Sequence, residues 1–120
     1  MSDANEFAQD WVDAWNSHDL TRILEHYEDD VVLTSPRAKE IIGAKDGTVR
    51  GKPALADYFR AGLTKMPDLT FSLVRAYASV TSVVVEYRTK DGRHGAEFMD
   101  FSAGGRVSRV IAHYATPSTA

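Results

Sequence analysis

The last third of the chain contains four short segments that are rich in β-branched and aromatic residues and bounded by turn-forming residues. These segments are LTFSLVRAY (69–77), SVTSVVVEYRT (79–89), GRHGAEFMDFS (92–102) and GRVSRVIAHYA (105–115). Asp91-Gly92 and Gly104-Gly105 separate the later segments, and such pairs accept the positive φ that tight hairpins need. We therefore predict a four-stranded antiparallel meander whose apolar face is covered by the rest of the chain.

Three upstream segments have the apolar spacing of amphipathic helices. The first covers residues 4–17. The second is capped by Asp19, repeats the helical spacing as far as Tyr27, and is expected to end at residues 28–30. The third is expected to run from Pro53 to Met66. The sequence thus supplies three helices to cover the sheet.

The segment between the second and third helices is less regular. Residues 31–34 predict a short strand that Pro36 ends. Residues 35–52 contain three glycines and an Asp-Gly pair, which favour a long loop. We expect this loop to fold over the open end of a pocket and to act as its lid.

The composition excludes several classes of protein. The net charge is −3 and the basic residues are scattered, which argues against a nucleic-acid surface. There is no cysteine for a disulfide, a thiolate nucleophile or a zinc site. The first residues contain no apolar leader, so a cytoplasmic protein is expected. Residues 1–115 are predicted to form one domain, with a frayed tail at 116–120.

Three stretches carry a resemblance to a known family. WVDAWNSHDLTRILEHYEDDVVLTSP, GKPALADYFRAGLTKMPDL and GRVSRVIAHY resemble, in this order, the SnoaL-like proteins of the nuclear transport factor 2-like superfamily. The resemblance implies an α+β, cystatin-like cone in which three N-terminal helices pack on a curved, mainly antiparallel sheet and enclose a pocket. It also implies a homodimer that forms through the sheets.

The superfamily includes ketosteroid isomerases, polyketide cyclases, epoxide hydrolases and dehydratases, so the fold alone does not name a reaction. Carried over by residue, the pocket tyrosine of the isomerases corresponds to Trp11 and their general-base aspartate to Ser35. Their protonated aspartate corresponds to Glu97. Only one of these three catalytic positions keeps a carboxyl group, so ketosteroid isomerase activity is not expected.

Glu97 is the main candidate for catalysis. Strand alternation puts Glu97, Met99 and Phe101 on one face of their strand, and this face is the more apolar one. A carboxyl group that points into the pocket would be desolvated, and its raised pKa would suit acid–base chemistry. In the opposite phase Glu97 is solvated and Asp100 points inward.

Several large side chains could hold an apolar ligand, although each could instead belong to the core. We expect this role for aromatic side chains of the first and third helices and for the neighbours of Glu97: Trp11, Trp15, Tyr58, Phe59, Met99 and Phe101.

His113, late on the last strand, could reach the mouth of the pocket and act as a second acid or base, although a histidine on the sheet surface is the commoner case. The four histidines lack the spacing of a chelating pair, so no metal is expected. Four arginines of the predicted strands are expected to be solvated or to lie at an interface: Arg75, Arg88, Arg93 and Arg109. An arginine that faced inward would imply an anionic ligand, or an ion pair that keeps Glu97 ionised.

The leading hypothesis is a small-molecule enzyme or binder with an apolar pocket for a small apolar or polyketide- or steroid-like molecule. Its chemistry would be isomerisation, cyclisation or dehydration by proton transfer, without a cofactor. The alternative is a non-catalytic dimeric module that binds a ligand or a protein partner, and the absence of a carboxyl group at Ser35 favours it.

Overall fold

The computed structural model describes residues 3–116, which form four helices and six strands. The helices are α1 (Ala4–Ser17), α2 (Leu20–Leu24), α3 (Pro36–Ile42) and α4 (Lys52–Lys65). The strands are β1 (Tyr27–Thr34), β2 (Thr48–Arg50), β3 (Phe71–Ala78), β4 (Ser82–Thr89), β5 (His94–Phe101) and β6 (Val107–Tyr114). The predicted frayed tail lies, apart from Thr116, outside the described residues.

All six strands belong to one sheet with the order β2-β1-β6-β5-β4-β3. β3 to β6 pair antiparallel with their neighbours in sequence, which confirms the predicted meander. β1 adds to β6 in a parallel orientation, and β2 pairs antiparallel with β1 at the edge. The predicted α+β fold, with helices on a mainly antiparallel sheet, is confirmed.

The predicted end of the second helix is wrong. α2 is only five residues long, and the chain is already extended at Tyr27, which pairs with Val107 of β6. The ring of Tyr27 is 1% exposed. A short apolar run can have the spacing of a helix and yet form a strand that buries its side chains in a sheet. The spacing alone therefore did not distinguish helix from strand at Tyr27.

The prediction of an irregular loop over residues 35–52 is also wrong. Pro36 ends β1 as expected but also starts α3, and the Ser35 side chain accepts a hydrogen bond from the Arg37 backbone N–H. Gly47 then packs against Ser35, whose backbone N–H donates to the Gly47 carbonyl over 2.8 Å. A Cβ on Gly47 would lie 2.8 Å from the Ser35 carbonyl oxygen, so only glycine fits there. This contact fixes Ser35 at the end of β1, beside the start of β2.

The turn between α1 and α2 is anchored to the start of the meander. The Asn16 side chain donates to the Phe71 carbonyl over 2.9 Å and accepts from the Phe71 N–H over 2.8 Å, as a neighbouring strand would. A ring nitrogen of His18 lies 2.6 Å from the Leu69 carbonyl oxygen. Asp19 caps α2 as predicted, since its side chain accepts from the Arg22 N–H. These contacts hold α1 against β3.

The core fills the space between the helices and the inner face of the sheet. α1 contributes Trp11, whose ring stacks on Phe71 at a centroid distance of 5.6 Å. α4 contributes Leu55 and Phe59, which are 0% and 4% exposed. No helix within residues 3–116 is long and apolar enough to cross a membrane.

Candidate functional site

A cavity of about 70 Å³ lies between α3, α4 and the inner face of the sheet. A buried water needs roughly 10–15 Å³ of such space, so the cavity has room for roughly five water-sized groups. Most of its wall is apolar or aromatic: Trp15, Leu33, Ile41, Phe59, Leu69 and Phe71. In this conformation the cavity suits a single small ring better than a multi-ring molecule.

Glu97 is a buried carboxyl group in the wall of this cavity. β5 alternates so that Gly95, Glu97 and Met99 are buried, which confirms the inward phase of the strand. Asp100 lies on the other face and accepts a hydrogen bond from the Thr81 hydroxyl over 3.3 Å. Strand alternation therefore turns the side chain of Glu97 toward the inner face of the sheet, where the helices cover it.

The pKa of Glu97 is shifted to the neutral range. Burial raises it from its ordinary value of 4.5 to about 7, and a hydrogen bond from Tyr87 lowers it in part. That bond runs from the Tyr87 hydroxyl to Oε2 of Glu97 over 2.8 Å. Within residues 3–116 no basic group forms an ion pair with Glu97, so the Tyr87 hydroxyl rather than a cation offsets the effect of burial.

The contact between Tyr87 and Glu97 depends on Gly95. Tyr87 on β4 pairs with Gly95 on β5, and the ring leans over the glycine toward Glu97. A Cβ on Gly95 would lie 2.6 Å from Cζ of Tyr87 and 2.7 Å from its hydroxyl oxygen. A side chain at this position would displace the ring, so the missing Cβ of Gly95 shapes the site. Sequence reasoning missed both residues, since the signal appears only once the strands are paired in register.

Further hydroxyl groups gather beside Glu97. Burial and the charge of Glu97 raise the pKa of Tyr87 well above its ordinary value, so Tyr87 remains a hydrogen-bond donor at neutral pH. Burial also raises the pKa values of Tyr58 and Tyr114, and the Ser35 hydroxyl beside them lowers both in part. The cavity therefore holds one carboxyl group in a cluster of protonated hydroxyls.

Three of the predicted ligand-binding residues line the cavity, namely Trp15, Tyr58 and Phe59. The Trp15 indole nitrogen is buried near the Tyr27 hydroxyl but has no hydrogen-bond partner within the described chain. Its ring lines the cavity, while its N–H is directed to the side of Tyr27, whose pKa it lowers in part.

The other three predicted ligand-binding residues, Trp11, Met99 and Phe101, do not line the cavity. Trp11 is 1% exposed and donates its indole N–H to the Tyr27 hydroxyl over 3.0 Å, and Met99 is 0% exposed. Phe101 packs edge-to-face on Phe7. They lie further along the inner face, where α1 covers the sheet and leaves no space for a ligand.

His113 lies outside the cavity. It alternates with the buried Ala112 on β6 and is exposed on the outer face, where Nδ1 lies 3.1 Å from the Ile111 carbonyl oxygen. The geometry gives it no access to a ligand near Glu97. The described residues also contain no cluster of three His, Asp or Glu side chains arranged like metal ligands.

Two arginines stand at the mouth of the cavity. Nη2 of Arg37 lies 3.1 Å from the Met66 sulfur, and Nη2 of Arg93 lies 3.6 Å from the same atom. Both side chains line the cavity. Arg93 was expected to be solvated and is only partly so, with a side chain that is 39% exposed. Arg37 was missed because it fell in the predicted loop.

Comparison with known proteins identifies the family. The family model of the SnoaL-like domain matches residues 8–115 of this chain. The chain belongs to the SnoaL-like family. A crystal structure of a SnoaL-like protein of unknown function from Burkholderia thailandensis is 41% identical, with a TM-score of 0.89 and coverage of 94% of both chains. The family resemblance found in the sequence is thus confirmed.

Two less similar solved structures share the fold. A candidate isomerase of the family from Agrobacterium tumefaciens is 18% identical, with a TM-score of 0.77 and coverage of 97% of this chain and 100% of that one. SalBIII, an epoxide hydrolase/cyclase-like enzyme in pyran ring formation in salinomycin, is 14% identical, with a TM-score of 0.73 and coverage of 92% and 89%. No curated protein matches the chain.

Proposed function

We propose that this SnoaL-like chain is an enzyme that transfers a proton on a small apolar molecule without a cofactor, and that Glu97 carries the proton. The observation that supports this most directly is the buried carboxyl group, whose pKa is raised to about 7 inside an apolar cavity. Carboxyl groups with strongly raised pKa values cluster at catalytic sites, where a pKa near the working pH favours proton transfer.

At neutral pH both forms of Glu97 would be populated. The protonated form can donate to a developing oxyanion or a leaving hydroxyl, and the ionised form can remove a proton from carbon. Tyr87 donates to the same carboxyl group and would stabilise its ionised form after proton release. Isomerisation, cyclisation and dehydration all need such a step, and two structural relatives bear the descriptions isomerase and epoxide hydrolase/cyclase-like.

Ketosteroid isomerisation is not part of the proposal. That reaction uses a carboxylate base in addition to a protonated acid, and Ser35 occupies the base position with a hydroxyl group that also caps α3. The cavity volume of about 70 Å³ likewise favours a substrate with one ring. We expect Trp15 and Phe59 to contact the apolar body of that substrate.

A binding module without catalysis is the second candidate. The same small cavity and the hydroxyl group at Ser35 favour it, because a ligand could be held there without any reaction. Dimerisation through the sheet and a cytoplasmic location remain predictions.

The test is hydrogen–deuterium exchange at carbon. We would incubate the protein with cyclohexanone, cyclopentanone or 2-cyclohexenone in D₂O near neutral pH and follow the α-proton signals by NMR. We expect the wild type to accelerate exchange of at least one compound and Glu97→Gln to abolish the acceleration. Asp100→Asn, which changes a carboxyl group on the outer face of the same strand, should keep it.

Exchange that survives in Glu97→Gln would show that another group carries the proton. A ketone that raises the melting temperature without exchanging would favour the binding module, since any ligand of the folded state stabilises it.

A further inference from the structure

The two arginines at the mouth of the cavity, Arg37 and Arg93, have more N–H donors than there are good acceptors around them. Both guanidinium groups direct a nitrogen at the sulfur of Met66, which is a weak acceptor. Arg37 has Glu40 at 3.5 Å and Arg93 has Asp91 at 3.6 Å, and neither pair is bidentate. The two carboxylates are 62% and 66% exposed, so these ion pairs are weak and easily exchanged.

Met66 lines both the cavity and an outer depression beside it. This depression has a volume of about 400 Å³ and shares Met66, Leu69, Thr89 and Arg93 with the cavity. A methionine side chain is flexible and adapts to its neighbours, so its movement would join the two spaces and uncover both guanidinium groups. A ligand that enters the cavity would pass between Arg37 and Arg93.

We infer that the ligand is an apolar carboxylate, whose ring occupies the cavity beside Glu97 and whose carboxylate replaces the Met66 sulfur between Arg37 and Arg93. A planar carboxylate matches the fork of a guanidinium group, and both η2 nitrogens already converge on one atom. This inference rests on the proposed function for its choice of cavity, but the anion site can be tested without any reaction.

The surrounding charges favour a single negative charge. The outer depression also carries Asp68, Lys90 and Asp91, and Glu40 lies beyond Arg37. With three carboxylates around two arginines and one lysine, a monoanion is better accommodated than a dianion such as a phosphate monoester. Arg37 also acts inside the cavity, where its charge lowers the pKa values of Tyr58 and Tyr114 in part.

The test compares benzoate with benzamide, which have the same shape but differ in charge. We would use isothermal titration at low ionic strength and about pH 6, where Glu97 is mostly protonated. The wild type should bind benzoate about tenfold or more tightly than benzamide. Arg37→Gln and Arg93→Gln should each bring the two affinities close together, and added salt should weaken benzoate selectively. Arg37→Lys should keep part of the preference, which separates loss of charge from loss of fold.

Arg60→Gln is the matched control, because Arg60 lies exposed on α4 and pairs with Asp57. Its preference for benzoate should equal that of the wild type. The inference is overturned if the wild type binds neither compound, if it binds both equally, or if both arginine variants keep the preference.

The exchange assay on neutral ketones distinguishes the two proposals. If the arginine variants lose the benzoate preference while Glu97→Gln still catalyses exchange, the anion site stands and the proton-transfer proposal fails. If the benzoate preference is absent while exchange depends on Glu97, the proton-transfer proposal stands and the anion site fails.

Discussion

Replacing Glu97 with glutamine should make the stability of the protein less dependent on pH. The pKa of Glu97 is about 7 in the folded protein and 4.5 ordinarily, so between these values the folded state binds a proton that the unfolded chain has released. Stability from this group is therefore fully present below about pH 4.5, is lost progressively as the pH rises, and is absent above about pH 7. Each pKa unit corresponds to about 1.4 kcal/mol, so the loss is roughly 3 kcal/mol.

Urea denaturation at about pH 5 and about pH 8.5 measures this effect directly. From pH 5 to pH 8.5 the wild type should lose roughly 2–3 kcal/mol of unfolding free energy that Glu97→Gln keeps, because glutamine cannot ionise. Asp100→Asn is the control for loss of a carboxyl group on the same strand. If the difference in unfolding free energy between Glu97→Gln and the wild type is the same at both pH values, the assignment of a buried, largely protonated carboxyl group is refuted.

Three further substitutions test the surroundings of the site. Tyr87→Phe should raise the pKa of Glu97 further above its ordinary value in an NMR titration, because it removes a hydrogen bond to the charged form. An unchanged or lower pKa would contradict this. Gly95→Ala should destabilise the protein by about 1–3 kcal/mol in urea denaturation, since its Cβ would overlap the Tyr87 ring, and a neutral effect would show that the ring is not held there. Tyr27→Phe should cost about 1–3 kcal/mol by the same measurement, because the buried Trp11 N–H loses its acceptor; a cost near zero would contradict this account of the core.

Local signals in the sequence were sufficient for much of the fold. The turn residues around Gly92 and Gly105 define the meander, and strand alternation gives the correct inward face for Glu97. Helices α1 and α4 follow from apolar spacing within one residue at each end. These features depend on neighbours in the chain, so local patterns determine them.

The two failures in the fold have different causes. Tyr27 joins β1 because the distant Val107 pairs with it, and this tertiary contact overrides the helical spacing at Tyr27. The start of α3 is marked locally, by the Ser35 cap and by Pro36 in the first turn, and the prediction of a loop overlooked these signals.

The site could also be predicted only in part. Glu97, Trp15, Tyr58 and Phe59 were found because they combine suitable chemistry with a recognisable face of a strand or helix. Arg37 required knowledge of α3, and Gly95 required the register between β4 and β5. Trp11 was assigned to the pocket on its size and position, but α1 packs too closely on the sheet there to leave a cavity.

The central claim, that the cavity holds a carboxyl group which changes protonation near neutral pH, is tested most directly by the pKa of Glu97. Carbon-detected NMR of protein labelled at glutamate side chains would follow the Glu97 Cδ signal through a pH titration, with Glu97→Gln used to assign it. The account predicts a midpoint of about 7. A midpoint at or below the ordinary value of 4.5 would mean that the carboxyl group is solvated or paired with a cation, and would contradict both the buried site and the proton-transfer function.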